Sequence, residues 1–156
     1  MLYYIMAAIL VVIDQLVKWW VRGSIPLGGA VPFLPGVMEL TYTQNTGAAF
    51  SSFSGLTGVL AVISLVASVA LAWMIHKKVF PGRWGPLSLS LVLAGAVGNL
   101  IDRVFLGFVT DMFATTFVSF AVFNVADICV TVGGGLLICY ALLFWNKGGE
   151  GDHDRD

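Results

Sequence analysis

The sequence predicts an all-α polytopic membrane protein: four transmembrane helices with a small extracytoplasmic β-sheet and loop element. Of the 156 residues, 58% are hydrophobic and only 11% charged, against roughly 25% charged in a soluble domain. The mean hydropathy is +0.91. The apolar residues also gather in four runs, each long enough for the about 20 residues that a bilayer crossing needs. Four crossings take about 80 residues, which leaves room for short connections and one small folded element. We therefore read 1–147 as a single four-helix domain and 148–156 as a polar, disordered, acidic cytoplasmic tail.

The first run, Met1 to Val21, carries Asp14, Gln15 and Lys18, and lacks the basic start and small-residue cleavage site of a removable signal peptide. In the outer segment 22–55, Pro26, Gly28, Gly29, Pro32, Pro35 and Gly36 mark turns. Val37 to Thr43 then alternates Met38, Leu40 and Tyr42 against Glu39, Thr41 and Thr43, which is a strand pattern. The second run, Leu56 to Ile75, offers only Ser64 and Ser68 as polar groups and reads as the lipid-facing side of the bundle. The third is Leu87 to Leu106 and the fourth Val122 to Trp145; between them Thr115 to Phe123, rich in Thr, Val and Phe, is the expected source of partner strands.

Lys77, Lys78 and Arg83 follow the second run and Lys147 and Arg155 the fourth, so the positive-inside rule places those segments in the cytoplasm. Both termini are then cytoplasmic, and 22–55 and 107–121 lie outside. Lys18 and Arg22 alone favour the reverse, but four crossings share one orientation and the later connections decide it. Residues 1–149 hold seven basic and five acidic side chains, a balance too weak to recruit nucleic acid. Cys129 and Cys139 would lie about 15 Å apart on one helix, beyond disulfide reach, and read as small hydrophobes.

An ionisable side chain inside a crossing costs about 2.5 to 3.5 kcal/mol on insertion scales, so each one asks for an explanation. Asp14 and Lys18, four apart, share a helical face and can pair. Asn99, Asp102 and Arg103 form one polar stripe, and Asn124, Asp127 and Thr131 another. Ala94, Gly95, Gly98 and the run Gly133–Gly135 would let backbones approach closely enough to hide these stripes from lipid. By helical rise, Asp14, Asp102 and Asp127 lie within about 10 Å of the outer ends of their helices. Asp111 sits in the outer loop beside them. A proton pathway would place acids nearer the midplane.

His76 and His153 fall on the cytoplasmic side, away from the acids, which removes Ser-His, Cys-His and zinc chemistry from the outer face. Lys18 with Ser51, Ser52 or Ser54 is a weak Ser-Lys candidate because Asp14 already occupies the lysine. What remains is a carboxylate pair sharing a proton, one acting as base on water while the other polarises a carbonyl. Depth alone leaves open whether Asp102 or Asp111 partners Asp127. A small proton-coupled transporter and a non-catalytic membrane scaffold are the competing classes.

Asp14-Gln15-Leu16-Val17-Lys18, Asn45-Thr46-Gly47-Ala48-Ala49-Phe50, Gly98-Asn99-Leu100-Ile101-Asp102-Arg103, Val109-Thr110-Asp111-Met112 and Phe123-Asn124-Val125-Ala126-Asp127 resemble, in order and spacing, the boxes of the lipoprotein signal peptidase family, the bacterial type II signal peptidases. The resemblance implies an intramembrane aspartic endopeptidase of the bacterial inner membrane, working near the outer leaflet. Such an enzyme cuts diacylglyceryl-modified prolipoproteins just before the lipidated cysteine, without metal or organic cofactor. It makes Asp111 and Asp127 the catalytic dyad and implies substrate-binding roles for Asn45, Asn99, Arg103 and Asn124, with Phe50 as an apolar neighbour. Asp14, Lys18 and Asp102 carry over as supporting positions, Asp102 being expected to orient the Arg103 region. Met112 departs from the Phe that many members carry there. The expected partners are the prolipoprotein signal peptide and membrane lipid, and the expected state is a monomer.

Overall fold

The computed structural model describes residues 1–47 and 55–144. Helices α1 (Leu2–Ser24), α2 (Thr57–His76), α3 (Trp84–Phe105) and α4 (Val125–Phe144) alternate in direction, and strands β1 (Ala30–Leu34), β2 (Met38–Asn45) and β3 (Val109–Thr115) gather at one end. All four helices are long and apolar enough to cross a membrane. The expected tail at 148–156, together with Lys147, Phe50 and the serines at 51, 52 and 54, lies outside the described residues.

α3 is the axis of the bundle, packing against each of the other three helices. It is also the most buried of them. The outer helices turn Ile9, Val12, Val62, Val66, Ile138 and Leu142 outward, as helices in hydrocarbon do once their own backbone bonds are satisfied. Away from the sheet, Ala7, Ile75, Leu89, Leu93 and Ala94 form one apolar cluster, and Val21, Ile25, Tyr42 and Met112 form a second beneath the sheet. Cys129 is buried, Cys139 exposed, and both are free.

The sheet corrects two expectations. β2 begins one residue after the predicted strand and runs two further, to Asn45, and its hairpin partner β1 contains Pro32, which the sequence marks as a turn. Proline is tolerated there because β1 is an edge strand, exposed throughout. The other partner is Val109–Thr115 rather than the Thr115 to Phe123 stretch. Val109, Thr110, Asp111 and Met112 are buried and hold their place by packing, whereas 116–120 are exposed and only Phe123 returns to bridge Phe113. Asp111 therefore stands on a strand, not in a loop. α4 starts at Val125, three residues later than predicted, which puts Asp127 in its first turn.

Small residues set the helix spacing. A β-carbon at Gly95 would strike the Ala126 carbonyl and come within 2.5 Å of Val130 Cγ2, one at Gly98 would lie 2.7 Å from Asp14 Oδ2, and one at Gly133 would lie 2.8 Å from Leu91 Cβ. Gly134 and Gly135 meet nothing within 4 Å, so only the first glycine of that run permits close approach. We expect Gly95→Ala to cost about 1–3 kcal/mol through overpacking. Gly134→Ala should be neutral or stabilising by about 1 kcal/mol or less. Thermal unfolding in detergent checks both; a Gly95→Ala protein as stable as the parent would contradict the α3–α4 contact.

Candidate active site

At the sheet end of the bundle the polar side chains of α1, α3, β3 and α4 converge. The Lys18 ammonium, 0% exposed, lies 2.9 Å from Asp14 Oδ2 and 3.5 Å from Asp102 Oδ2. It donates to Asn99 Oδ1 at 2.9 Å. The pairing expected from the Asp14–Lys18 spacing is thus present, with a second carboxylate added from α3.

Each of these acids also accepts a backbone N–H. Asp14 Oδ1 accepts the Ala126 N–H at 2.9 Å, satisfying a donor at the start of α4 that has no partner within its own helix. Asp102 Oδ2 accepts the Thr110 N–H at 2.8 Å. Ala126 and Thr110 immediately precede Asp127 and Asp111, so the buried ion cluster pins the chain one residue before each acid.

Gln15, a neighbour that the sequence reading gave no role, joins the cluster: its Nε2 donates to Asp14 Oδ2 (3.1 Å), Gly98 O (3.0 Å) and Asp102 Oδ1 (3.2 Å). Arg22 donates to Thr110 Oγ1 at 3.0 Å. Asp102 does not orient Arg103 as expected. Adjacent residues on a helix point about 100° apart, and while Asp102 faces α1 and β3, Arg103 reaches Ser64 Oγ of α2 and the Gly47 carbonyl, each at 3.4 Å.

Asp111 and Asp127 meet through Asn124. The Asn124 side chain accepts the Asp127 N–H at 2.9 Å, while Asp127 Oδ2 accepts the Asn124 N–H at 3.1 Å. This is a capping box built from Asn and Asp, and it explains why the two residues are three apart at the head of α4. The same Asn124 donates through Nδ2 to Asp111 Oδ1 at 2.6 Å. Asn45, at the end of β2, donates to Asp111 Oδ2 at 3.0 Å and uses its own Oδ1 to accept the Gly47 N–H. Asn99 donates to Asp127 Oδ1 at 2.8 Å.

Every sequence-predicted site residue is thus brought to this place: Asn45, Asn99, Arg103, Asp111 and Asp127 line one cleft of about 490 Å³, with Asn124 beneath the two acids and Asp14, Lys18 and Asp102 behind. The lining that sequence reasoning missed runs from Phe120 to Phe123 and is joined by Ile128, Thr131 and Val132 of α4. Its hydrophobicity reads as ordinary membrane composition, so no local signal distinguishes it. Met112 is fully buried beneath the sheet and leaves Asp111 undisturbed.

Burial pushes the Asp111 carboxyl up to about 6, with the Asp127 charge adding to the rise, against the lowering effect of the Asn45 and Asn124 hydrogen bonds and of Lys18. Arg103 Nε is buried and has no hydrogen-bond partner among the described residues.

Residues 6–143 match the sequence profile of the family described as signal peptidase (SPase) II. A lipoprotein signal peptidase of Streptococcus pneumoniae is 44% identical over 134 residues, covering 86% of this chain and 88% of that protein. One of Enterococcus faecalis is 40% identical over 149 residues, covering 96% and 92%. A bacterial membrane enzyme solved by the in meso method at 2.3 Å resolution superposes with a TM-score of 0.86 at 28% identity, covering 99% of this chain and 93% of that one. A second, at 1.9 Å, gives 0.82 at 31% identity, covering 91% and 92%.

The raised Asp111 value has a consequence for stability. Between the ordinary carboxylate value of 3.8 and about 6 the folded chain holds a proton that the unfolded chain has released, so this group's contribution to stability is fully present below that window and is lost as pH rises through it. The Asp111→Asn variant lacks that titration. The difference in unfolding midpoint, variant minus parent, should therefore shrink as pH is lowered from about 7 to about 4, across that window; a constant difference would contradict the assignment.

Proposed function

The chain belongs to the signal peptidase II family of membrane proteases, and from that premise we propose that it removes signal peptides from diacylglyceryl-modified prolipoproteins, cutting just before the lipidated cysteine, with Asp111 and Asp127 activating the attacking water. The observation that carries the reading is the bridging of these two acids by Asn124 at a cleft lined by both polar and apolar side chains.

The two carboxylates stand in different surroundings, which divides their roles. Asp127 lies in the first turn of α4, where the helix dipole favours negative charge, and accepts N–H groups on both oxygens. It is the base that takes a proton from water. Asp111, on a strand and pushed up by burial, is the acid that donates its proton to the scissile carbonyl oxygen as the water oxygen bonds to the carbonyl carbon. Collapse of the tetrahedral intermediate breaks the C–N bond, the proton on Asp127 passing to the leaving amine while one hydroxyl of the intermediate returns its proton to Asp111 and becomes the new carbonyl. Arg103 Nε offers a donor to a substrate backbone carbonyl. Asn45 and Asn99 frame the same extended stretch, since an intact helix would shield its carbonyl carbons from attack.

The four membrane-spanning helices make this a multi-pass membrane protein. We place it in the bacterial inner membrane with both termini in the cytoplasm, as the basic residues flanking α2, α3 and the C-terminal segment require. The sheet and dyad then sit at the outer leaflet, where the acyl chains of the modified cysteine hold the scissile bond at the same depth. A monomer suffices, because α1, α3, β3 and α4 of one chain complete the polar cluster.

Purified protein in detergent with a synthetic diacylglyceryl-modified prolipoprotein tests the reading. Asp111→Asn and Asp127→Asn should each lower cleavage by about 10³-fold or more with helix content retained; near-parental cleavage by either would remove the dyad. In the parent, kcat/KM should fall about tenfold per pH unit above the Asp111 value of about 6. The corresponding limb in kcat should lie at higher pH, because bound substrate deepens the burial of Asp111. Metal chelators should leave the rate unchanged, and inhibition by them would reopen metal-assisted hydrolysis.

A further inference from the structure

We propose that Lys18 is a positioning residue for this reaction: its ammonium dictates which way the Asn99 amide faces and so keeps an N–H donor aimed at Asp127. The inference rests on the peptidase reading of the site. An ammonium has three donors and no acceptor, and one of the three goes to Asn99 Oδ1. The acceptor end of Asn99 is thereby occupied, and the donor end must face Asp127 Oδ1, which it meets at 2.8 Å. Turned through 180°, the amide would set N–H groups against the ammonium and an oxygen against the carboxylate, two repulsions inside an apolar protein.

Asn124 is held in one sense by the same logic. The Asp127 backbone N–H can only donate, so it takes Asn124 Oδ1 and leaves Nδ2 for Asp111. All three amides at the dyad are thus turned donor-side to the acids by groups that cannot accept: Asn124 and Asn45 by backbone N–H groups that no substitution of a side chain removes, and Asn99 by a side chain that can be replaced. The charged groups around this cluster are Asp14 and Arg22 of α1, Asp102 and Arg103 of α3, Asp111 of β3 and Asp127 itself; α2 and β2 contribute the neutral Ser64 and Asn45. None of the others donates to Asn99 Oδ1. Lys18 also couples Asp14 to Asp102, so a plain loss of the lysine would strand two buried acids and confuse positioning with folding.

The test removes Lys18 together with Asp14, so that the one acid that loses the ammonium, Asp102, keeps Arg22 at 4.0 Å and the Gln15 and Thr110 donors. Lys18→Met combined with Asp14→Asn deletes the ion pair as a neutral unit, keeps an acceptor for the Ala126 N–H, and leaves Asn99 without its donor. This pair, Asn99→Leu and the combination of the two are compared with the parent for unfolding midpoint, kcat and KM on the lipidated substrate. The pair should lower kcat by about 10²-fold with KM changed less than about 3-fold. Asn99→Leu should cost about as much, and the combination should lose less than about 3-fold beyond Asn99→Leu alone, because both act through one hydrogen bond. A lowered unfolding midpoint with unchanged kcat per folded molecule, or losses that multiply to about 10⁴-fold, would overturn the positioning role. If the methionine form does not fold, the same cycle is run with Lys18→Gln, whose shorter neutral donor holds Asn99 less firmly; the expected loss is about tenfold and the coupling is read in the same way. Asp127→Asn runs alongside: cleavage surviving there overturns the peptidase reading itself, whereas an inactive Asp127→Asn with multiplying losses overturns Lys18 alone.

Discussion

An ammonium with no exposed surface organises this protein. Withdrawing a charge from water costs several kcal/mol even after the protein relaxes, and Lys18 meets that cost with Asp14, Asp102 and Asn99. The two acids still carry unused lone pairs, and burial obliges those to find donors as well. They find the Ala126 and Thr110 backbone N–H groups. A single buried cation on α1 thus reaches, through two carboxylates, the residue before each aspartate of the cleft. The separation of α4 from β3, and hence of Asp127 from Asp111, follows from how these groups satisfy one another.

The same arrangement couples the site to the stability of the bundle. Three of the four helices present mostly apolar surface outward, and α1 and α4 meet α3 at small residues, so few strong contacts hold the sheet end in register. Breaking one partner of a buried pair typically costs about 3–5 kcal/mol, a large part of the 5–15 kcal/mol of a folded protein, roughly speaking. Asp111 pulls in the opposite direction. Its carboxyl is buried where water would hold it better, and the two amides beside it only partly compensate. An ionised Asp111 therefore weakens the fold even though two directed donors frame it.

The cleft is lined both by apolar residues, Phe120 to Phe123 with Ile128 and Val132 of α4, and by the polar Asn45, Asn99, Arg103, Asp111 and Asp127, and Arg103 Nε has no hydrogen-bond partner among the described residues. β3 gives Asp111 a firmer mount than a loop would, because its backbone bonds to β2 resist displacement.

Local patterning alone settled much of this. Four apolar runs of crossing length, the i, i+4 spacing of Asp14 and Lys18, and the i, i+3 spacing of Asn124 and Asp127 are properties of a single helix, and each appears in the structure where the spacing puts it. Periodicity could not choose the strand partner of β2: the Thr- and Val-rich run after Thr115 has the better strand composition, but Val109 to Met112 is the stretch that packs under the sheet. Nor could it direct Asp102, whose neighbour in sequence is Arg103 but whose partners come from α1 and β3. For the same reason the sequence assigned no role to Gln15 or to the Phe120 to Phe123 segment of the cleft. The sequence by itself determined which helices form and which faces of them are polar, since those depend on residues within a turn or two. Only the tertiary structure decided which polar faces meet, because the contacts that join the elements of the site span 8 to 112 positions and depend on how closely α1, α3 and α4 approach.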